Sequence, residues 1–290
     1  MTFSLALPMK SGHNSGTLYI VATPIGNLSD ISRRMEQVLG EVDLIACEDT
    51  RHTRKLLSHL NINVPLTSYY REKEQQKAKV LLNKLLDGRN IALVSDAGTP
   101  GLSDPGAVLV RAARSADIPV VPVPGPSALA VAVSVAGLDD TSFFFAGFPS
   151  AKRGERCKLF TSLKALTCPL IFYESPHRIR RTLQDCLKIF GDRRAQLFRE
   201  LTKLHEQHLS ESISKLIELT DKKVRGELVL IVDGRPDQDV DRPSNLDDLI
   251  VWYRDTGNSS LKDAARNIAN DLDISRSQVY QRALSLWHEK

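Results

Sequence analysis

No G-x-G-x-x-G turn follows the first apolar run, so the chain lacks the pyrophosphate turn of a dinucleotide-binding sheet. It also lacks G-x-x-x-x-G-K-[ST], which excludes a P-loop nucleotide site, and G-x-S-x-G, which argues against a nucleophile-elbow hydrolase. Cysteine is scarce: Cys47, Cys157, Cys168 and Cys186 form no C-x-x-C pair. That scatter suits reduced thiols rather than a disulfide framework or a zinc site, and no metal is expected. No stretch approaches the ~20 apolar residues of a membrane span. The longest, Ala128–Leu138, is short and follows prolines at 122, 124 and 126. Met1–Gly16 has no basic start, apolar middle and small-residue end in order, so it reads as a tail and not a secretion signal. A cytoplasmic, membrane-free protein is expected. A net charge of +4 permits a nucleic-acid partner without demanding one.

What is present is a rhythm. Leu18–Ala22 is β-like, and Ile31, Met35, Val38 and Leu39 then recur at helical spacing. Val42–Cys47, Ile91–Val94 and Pro119–Val123 are further strands, separated by a basic helix over about 50–60 and an amphipathic one bearing Ala78, Leu81, Leu82 and Leu85. Asp104-Pro105 predicts an N-cap followed by proline at the first helical position. Alternation at these lengths predicts an α/β fold with a mostly parallel sheet covered on both faces. It resumes after Gly137, with strands at 143–146, 169–173, 196–200 and 227–232 and helices at 178–190 and 212–219. The expected organisation is a tail (1–16), two α/β domains (17–136 and 137–234) forming a cleft, a linker (235–245) and a helical segment (246–290). In that segment Ser260 and Ser275 are expected to cap two closely joined helices, resembling a helix-turn-helix. Its Arg266, Arg276 and Arg282 are largely offset by Asp263, Asp271 and Asp273.

Two Gly/Pro-rich loops carry the functional signal. Ser95–Gly106 leaves a buried strand at its carboxyl end, where open α/β sheets bind ligands. Its glycines admit close backbone approach and its prolines stiffen it, while Asp96 and Asp104 offer acceptors for hydroxyl, amino or cationic groups. Pro122–Ala128 also leaves a strand, with Ser127 in the first turn of a helix, where unpaired amides can hold a carboxylate. A third loop, Thr23–Leu28, follows the first strand, and the three are expected to converge on one crevice.

Seven segments, ATPIGNLSDI, CEDTRHTRKLL, SDAGTPGLSDPG, VPVPGPSA, GFPSAKRGER, FYESPHR and RELTKLHE, occur in this order across residues 17–234. Together they resemble the tetrapyrrole-methylase superfamily and, within it, the small-subunit ribosomal RNA methyltransferase I family. The resemblance implies S-adenosylmethionine between two α/β domains, a homodimer, and 2′-O-methylation of a cytidine in 16S rRNA of the small ribosomal subunit. It assigns the cofactor to Pro24, Asp96, Ala97, Gly98, Ser127 and Ala128, with Phe148, Tyr173, Glu174, Glu227 and Leu228 from the second domain. It places Gly101-Leu102 where the family is expected to carry two bulky apolar residues.

Methyl transfer from a sulfonium to a ribose hydroxyl asks for alignment, exclusion of water and help from a base. Candidate bases are Glu48, Asp49, His52, Asp104, Glu174 and Glu200. Basic residues that would meet RNA are Arg51, Arg54 and Lys55, then Lys152, Arg153 and Arg156, then His177, Arg178 and Arg181, with Tyr70 placed to stack a base. A tetrapyrrole C-methylase of the same fold, and a ligand-sensing helix-turn-helix regulator, are the competing readings. CEDTRHTRKLL and RELTK look unlike the first, and the second expects a more basic recognition helix.

Overall fold

A computed structural model describes residues 15–138, 142–221, 224–236, 245–255, 260–272 and 274–287. The chain forms two compact units, Met1–Arg235 and Pro236–Lys290. The expected tail at 1–16 and linker at 235–245 lie mostly outside the described residues, as does Asp273.

The first unit opens with β1 (Leu18–Val21), α1 (Arg33–Glu41), β2 (Leu44–Cys47), α2 (Thr50–His59) and β3 (Leu66–Ser68). It continues through α3 (Glu74–Leu86), β4 (Ile91–Val94), α4 (Ala107–Ser115), β5 (Val120–Val123) and α5 (Ala128–Ala136). Local chemistry fixes these ends. Ser32 caps α1 by accepting from the Met35 amide at 3.1 Å, and the apolar spacing turns Met35, Val38 and Leu39 into the core. The five strands lie in the order β3-β2-β4-β1-β5, every pair parallel. Apolar clusters pack on both faces: Leu18, Leu81, Leu93 and Leu109 on one, Val21, Leu39, Ile45 and Val94 on the other. The continuous burial of β2 and β4 follows from that sandwiching. Because β4, β1 and β5 are neighbours, the loops leaving their carboxyl ends emerge side by side.

The rest of the unit comprises β6 (Phe144–Phe145), α6 (Arg153–Leu163), β7 (Leu170–Glu174), α7 (Ile179–Phe190), β8 (Arg194–Arg199), β9 (Gln207–Ser212), α8 (Ile213–Leu219) and β10 (Leu228–Val232). Its sheet has the order β6-β7-β10-β8-β9; β6 pairs parallel with β7 and the remaining pairs are antiparallel. The repeated rhythm therefore hides a change of sheet type. The short connection between β8 and β9 permits only a hairpin. Phe160, Phe172, Leu183, Leu197 and Leu230 form the core on one face. On the other, Ile171, Phe198, Val229 and Ile231 pack against Ile25 and Ala132 from the first sheet's loops and helices.

The second unit holds α9 (Leu246–Asp255), α10 (Leu261–Leu272) and α11 (Arg276–Leu286) around Leu249, Ile250, Ala265, Ile268, Val279 and Ala283. The Ser260 hydroxyl accepts from the Asp263 amide at 3.3 Å, as a cap would. Ser275 stands at the start of α11 but does not cap it; its hydroxyl pairs with that of Ser277 at 2.7 Å.

Candidate functional site

Backbone pairing fastens the three loops of the first sheet together. Thr23 and Gly98 exchange amide hydrogen bonds at 2.9 and 3.1 Å, and the Thr23 hydroxyl donates to the Ser95 carbonyl at 3.0 Å. Thr99 donates to the Pro126 carbonyl at 3.2 Å, tying the Ser95–Gly106 loop to the Pro122–Ala128 loop. Gly98 sits at φ +82°, which lets the loop fold back on β1 at little steric cost.

The expected cap at Asp104 does not form. Helix α4 begins at Ala107, with Gly106 at φ +151° ahead of it. The acceptor for its free amides comes from α3 instead: Glu74 takes the Gly106 amide at 2.8 Å and the Tyr69 hydroxyl at 3.2 Å. Arg71 donates to the Ser103 carbonyl at 2.7 Å. Freed from capping, Asp104 faces the cavity.

That cavity, about 320 Å³, lies between the carboxyl ends of the first sheet and the end of the second where β7 and β8 finish and β10 begins. Of the residues assigned to the cofactor by resemblance, Asp96, Ala97, Gly98, Ser127 and Ala128 line it from one side. Phe148, Tyr173, Glu174, Glu227 and Leu228 line it from the other. Pro24 instead lines a neighbouring cavity with His52, Lys55, His59 and Lys203. Sequence reasoning missed Leu201 and Ser175, which line the wall with Ile25 and Gly226. The segments RELTK and ESPHR contain the two missed residues, the available signal. Gly226 is held at φ +93°, where a Cβ would come within 2.4 Å of the Glu200 carboxyl.

Tyr173 anchors the two sides. Its hydroxyl accepts the Leu129 amide at 3.0 Å, so one α5 amide expected for a ligand carboxylate is already taken. Its ring meets those of Phe145 and Phe148 edge-on at 4.9 and 5.4 Å. Burial pushes its phenol up.

The candidate bases separate by their partners. Asp49 caps α2 and pairs with Arg51 at 2.8 Å, which holds its carboxyl well below the usual range. Glu174 is fully buried and accepts from the Ser175 amide, Thr182 and Arg178. Glu200 accepts the Glu227 amide and Lys203, both at 2.9 Å. His52 lies outside the main cavity. Asp104 faces the Ser95 hydroxyl; burial raises its carboxyl, against that hydroxyl's lowering influence. Glu48 lines the main cavity, and burial followed by the charges of Asp104 and Asp96 pushes it up to about 7.

The basic residues divide as well. Arg51, Arg54 and Lys55 line an open groove along α2, and His177 and Arg181 are exposed. Tyr70 is half-buried with the Lys73 ammonium 5.9 Å from its ring centre. Arg156, expected to meet RNA, is 4% exposed and bound to Asp185 at 2.6 Å, so it belongs to the core; it was misread because its charge hides an inward helical position. Arg153 pairs with the same Asp185 at 2.9 Å, and Lys152 with Glu155 at 3.2 Å. Arg178 is likewise turned inward, clamping the Pro149 carbonyl to Glu174. Among the described residues no group of His, Cys, Asp and Glu is arranged to hold a metal ion, and no helix is long and apolar enough to cross a membrane.

Residues 17–217 match the family model of Tetrapyrrole (Corrin/Porphyrin) Methylases. A ribosomal RNA small subunit methyltransferase I from Escherichia coli O157:H7 is 45% identical, over 95% of this chain and 97% of its own. The protein of the same description from Synechocystis sp. is 43% identical, over 93% and 98%. Among solved structures, a diphthine synthase superposes with a TM-score of 0.59 at 14% identity, covering 76% of this chain and 90% of its own. A uroporphyrin-III C-methyltransferase from Thermus thermophilus, complexed with S-adenosyl homocysteine, gives 0.55 at 16% identity, covering 74% and 97%. At those identities the likeness concerns the fold.

Proposed function

Because the chain belongs to the ribosomal RNA small subunit methyltransferase I family of the tetrapyrrole methylases, we propose that it uses S-adenosylmethionine to methylate the 2′-hydroxyl of a cytidine in 16S rRNA. That it is a methyltransferase follows from the family; the donor, the acceptor atom and the site residues are the proposal. The carrying observation is the cavity itself, walled by three loops that leave adjacent parallel strands and lined with carboxylates, not with a phosphate-binding turn. A sulfonium donor brings a positive centre, an amino group and ribose hydroxyls, and Asp96 and Asp104 offer acceptors for them. Ile25, Phe148, Leu201 and Val229 give an apolar wall that excludes water from the transfer.

When bound, the donor supplies an activated methyl group. The chain's part is to seat it against Asp96, Ala97, Gly98, Ser127 and Ala128, to close over it with Phe148, Tyr173, Glu174, Glu227 and Leu228, and to align the hydroxyl. Pro24 would act from the adjoining cavity. RNA would lie along α2, where Arg51, Arg54 and Lys55 meet solvent, with Tyr70, His177 and Arg181 as further contacts. A homodimer working in the cytoplasm completes the proposal.

The regulator reading is not favoured, since the relatives that match nearly the whole chain are described as ribosomal RNA methyltransferases. A tetrapyrrole C-methylase is not favoured either, given the relatives' description. Incubation with radiolabelled S-adenosylmethionine and unmodified small subunits, followed by mapping of the labelled nucleotide, tests the proposal. A labelled cytidine ribose is expected; label on a base, or none on RNA, would overturn it.

A further inference from the structure

We propose that Glu48 is the general base of the transfer, the group that takes the proton from the ribose 2′-hydroxyl; this rests on the ribose-methylation reading of the main cavity. Six carboxylates line that cavity or its rim, and four are engaged. Asp96 accepts the Asp49 amide at 3.0 Å. Asp104 forms no hydrogen bond or ion pair with a described residue, but it belongs to the β4 loop expected to hold the donor. Glu174 is bound to Thr182 and Arg178, while Glu227 and Glu200 share Lys203. Glu48 accepts no hydrogen bond and forms no ion pair with any described residue, although it is only half exposed. Its lone pairs are therefore available to a substrate hydroxyl.

Its position suits the task. Glu48 follows β2, next to β4, whose loop carries Asp96 and Gly98, the residues expected to hold the methyl donor. One residue further on, Asp49 opens α2, whose Arg51, Arg54 and Lys55 face solvent on the side proposed for RNA. Glu48 thus stands where a strand end meets an RNA-facing helix, with donor on one side and acceptor on the other.

The charges around it set its working range. Asp96 and Asp104 on the β4 loop and Glu72 on the 71–73 turn oppose its ionisation; Arg71 on that turn favours it. Across the cavity Glu174 and Glu227 are neutralised by Arg178 and Lys203. A carboxylate that titrates near neutrality transfers protons best at the pH where the protein works. In the step, the hydroxyl O–H bond breaks and its proton goes to a Glu48 oxygen. The freed pair on the ribose oxygen forms the O–CH3 bond, while the pair of the cleaved S–CH3 bond stays on sulfur.

The test compares the parent, E48Q and D104N in the full chain. Single-turnover transfer to unmodified small subunits is followed between pH 5.5 and 9. S-adenosylmethionine affinity is measured by calorimetry at pH 6 and 8. The carboxylic-acid carbonyl band is recorded by infrared difference between parent and E48Q without donor or RNA. The parent rate is expected to rise with pH and level off above about 7. E48Q should lose that rise and fall at least ~100-fold in rate while binding the donor within about twofold of the parent. D104N should keep the rise but move it to lower pH, because the Asp104 charge opposes ionisation of Glu48. The infrared band assigned by difference to Glu48 should fade as pH rises through about 7. Retention of the pH rise by E48Q, its transfer to D104N, or loss of donor affinity in step with rate would overturn the assignment of the base. Absence of any label on RNA with the parent would instead overturn the methylation reading, and the base with it.

Discussion

Glu48 is held up to about 7, against an ordinary 4.5, by burial and by Asp104 and Asp96, so ionising it strains the folded state. Below about 4.5 the carboxyl is neutral in folded and unfolded chains alike, and the penalty vanishes; above about 7 it is ionised in both and the penalty is complete. E48Q is therefore expected to melt with the parent at pH 4 and above it at pH 8. Discounted for the half-exposed site, the difference is about 1 kcal/mol, or ~2–4 °C. Calorimetric melting of both proteins across that range checks it; a gap that stays constant with pH would show that the group is not strained. Gly226 makes the opposite case, since a methyl there meets the Glu200 carboxyl and must adopt φ +93°. Gly226→Ala should cost about 1–3 kcal/mol in stability. By displacing Glu200 and Glu227 it should also weaken S-adenosylmethionine at least tenfold, read by calorimetric titration.

At the scale of elements, α2 and α6 carry similar charge in the sequence and opposite roles in the fold. Arg54 and Lys55 on α2 line an open groove, whereas Arg156 on α6 is bound to Asp185 beneath the surface. Replacing Arg54 and Lys55 by Gln should lower RNA affinity and reduce the slope of log affinity against log salt by about 1–2. Arg156→Met should leave the slope unchanged and cost about 3 kcal/mol in stability, because Asp185 loses a buried partner. Filter binding to small-subunit RNA at several salt concentrations separates the two. This contrast also marks what the sequence could express. Strands β1, β4 and β5 and the loops they feed were legible because apolar runs ending in Gly/Pro turns have few other readings. Helix α6 was read as a charge cluster, because its inward Arg156 looks polar. Strand β9 went unseen, since its residues are mostly exposed and lack the alternation of a half-buried strand. The α4 cap was misplaced because its acceptor, Glu74, lies some thirty residues earlier, and no local pattern announces a partner supplied by another helix.

Over the whole molecule, the division into two units separates ligand chemistry from the C-terminal helices. Every residue that lines the main cavity lies between Ile25 and Val229, inside the first unit. The second unit has its own apolar core in Ile250, Ala265, Ile268 and Val279, and one of its surface arginines, Arg282, pairs with Asp247 within that unit. A ligand that binds only the folded first unit raises its stability by mass action, by about 2.7 kcal/mol at a hundredfold excess over Kd. The gain depends on the cavity and not on residues 236–290. A chain ending at Arg235 is therefore expected to show the full-length protein's shift in melting temperature with S-adenosylmethionine, to within about 1 °C at matched saturation. Scanning fluorimetry with a donor titration on both chains measures it. Loss of the shift in a truncated chain that still melts cooperatively would mean the second unit contributes to the donor site. Retention of the shift with loss of methyl transfer to small subunits would assign the second unit, in which Asp and Glu outnumber Lys and Arg, to engaging the small subunit while the first unit holds the donor.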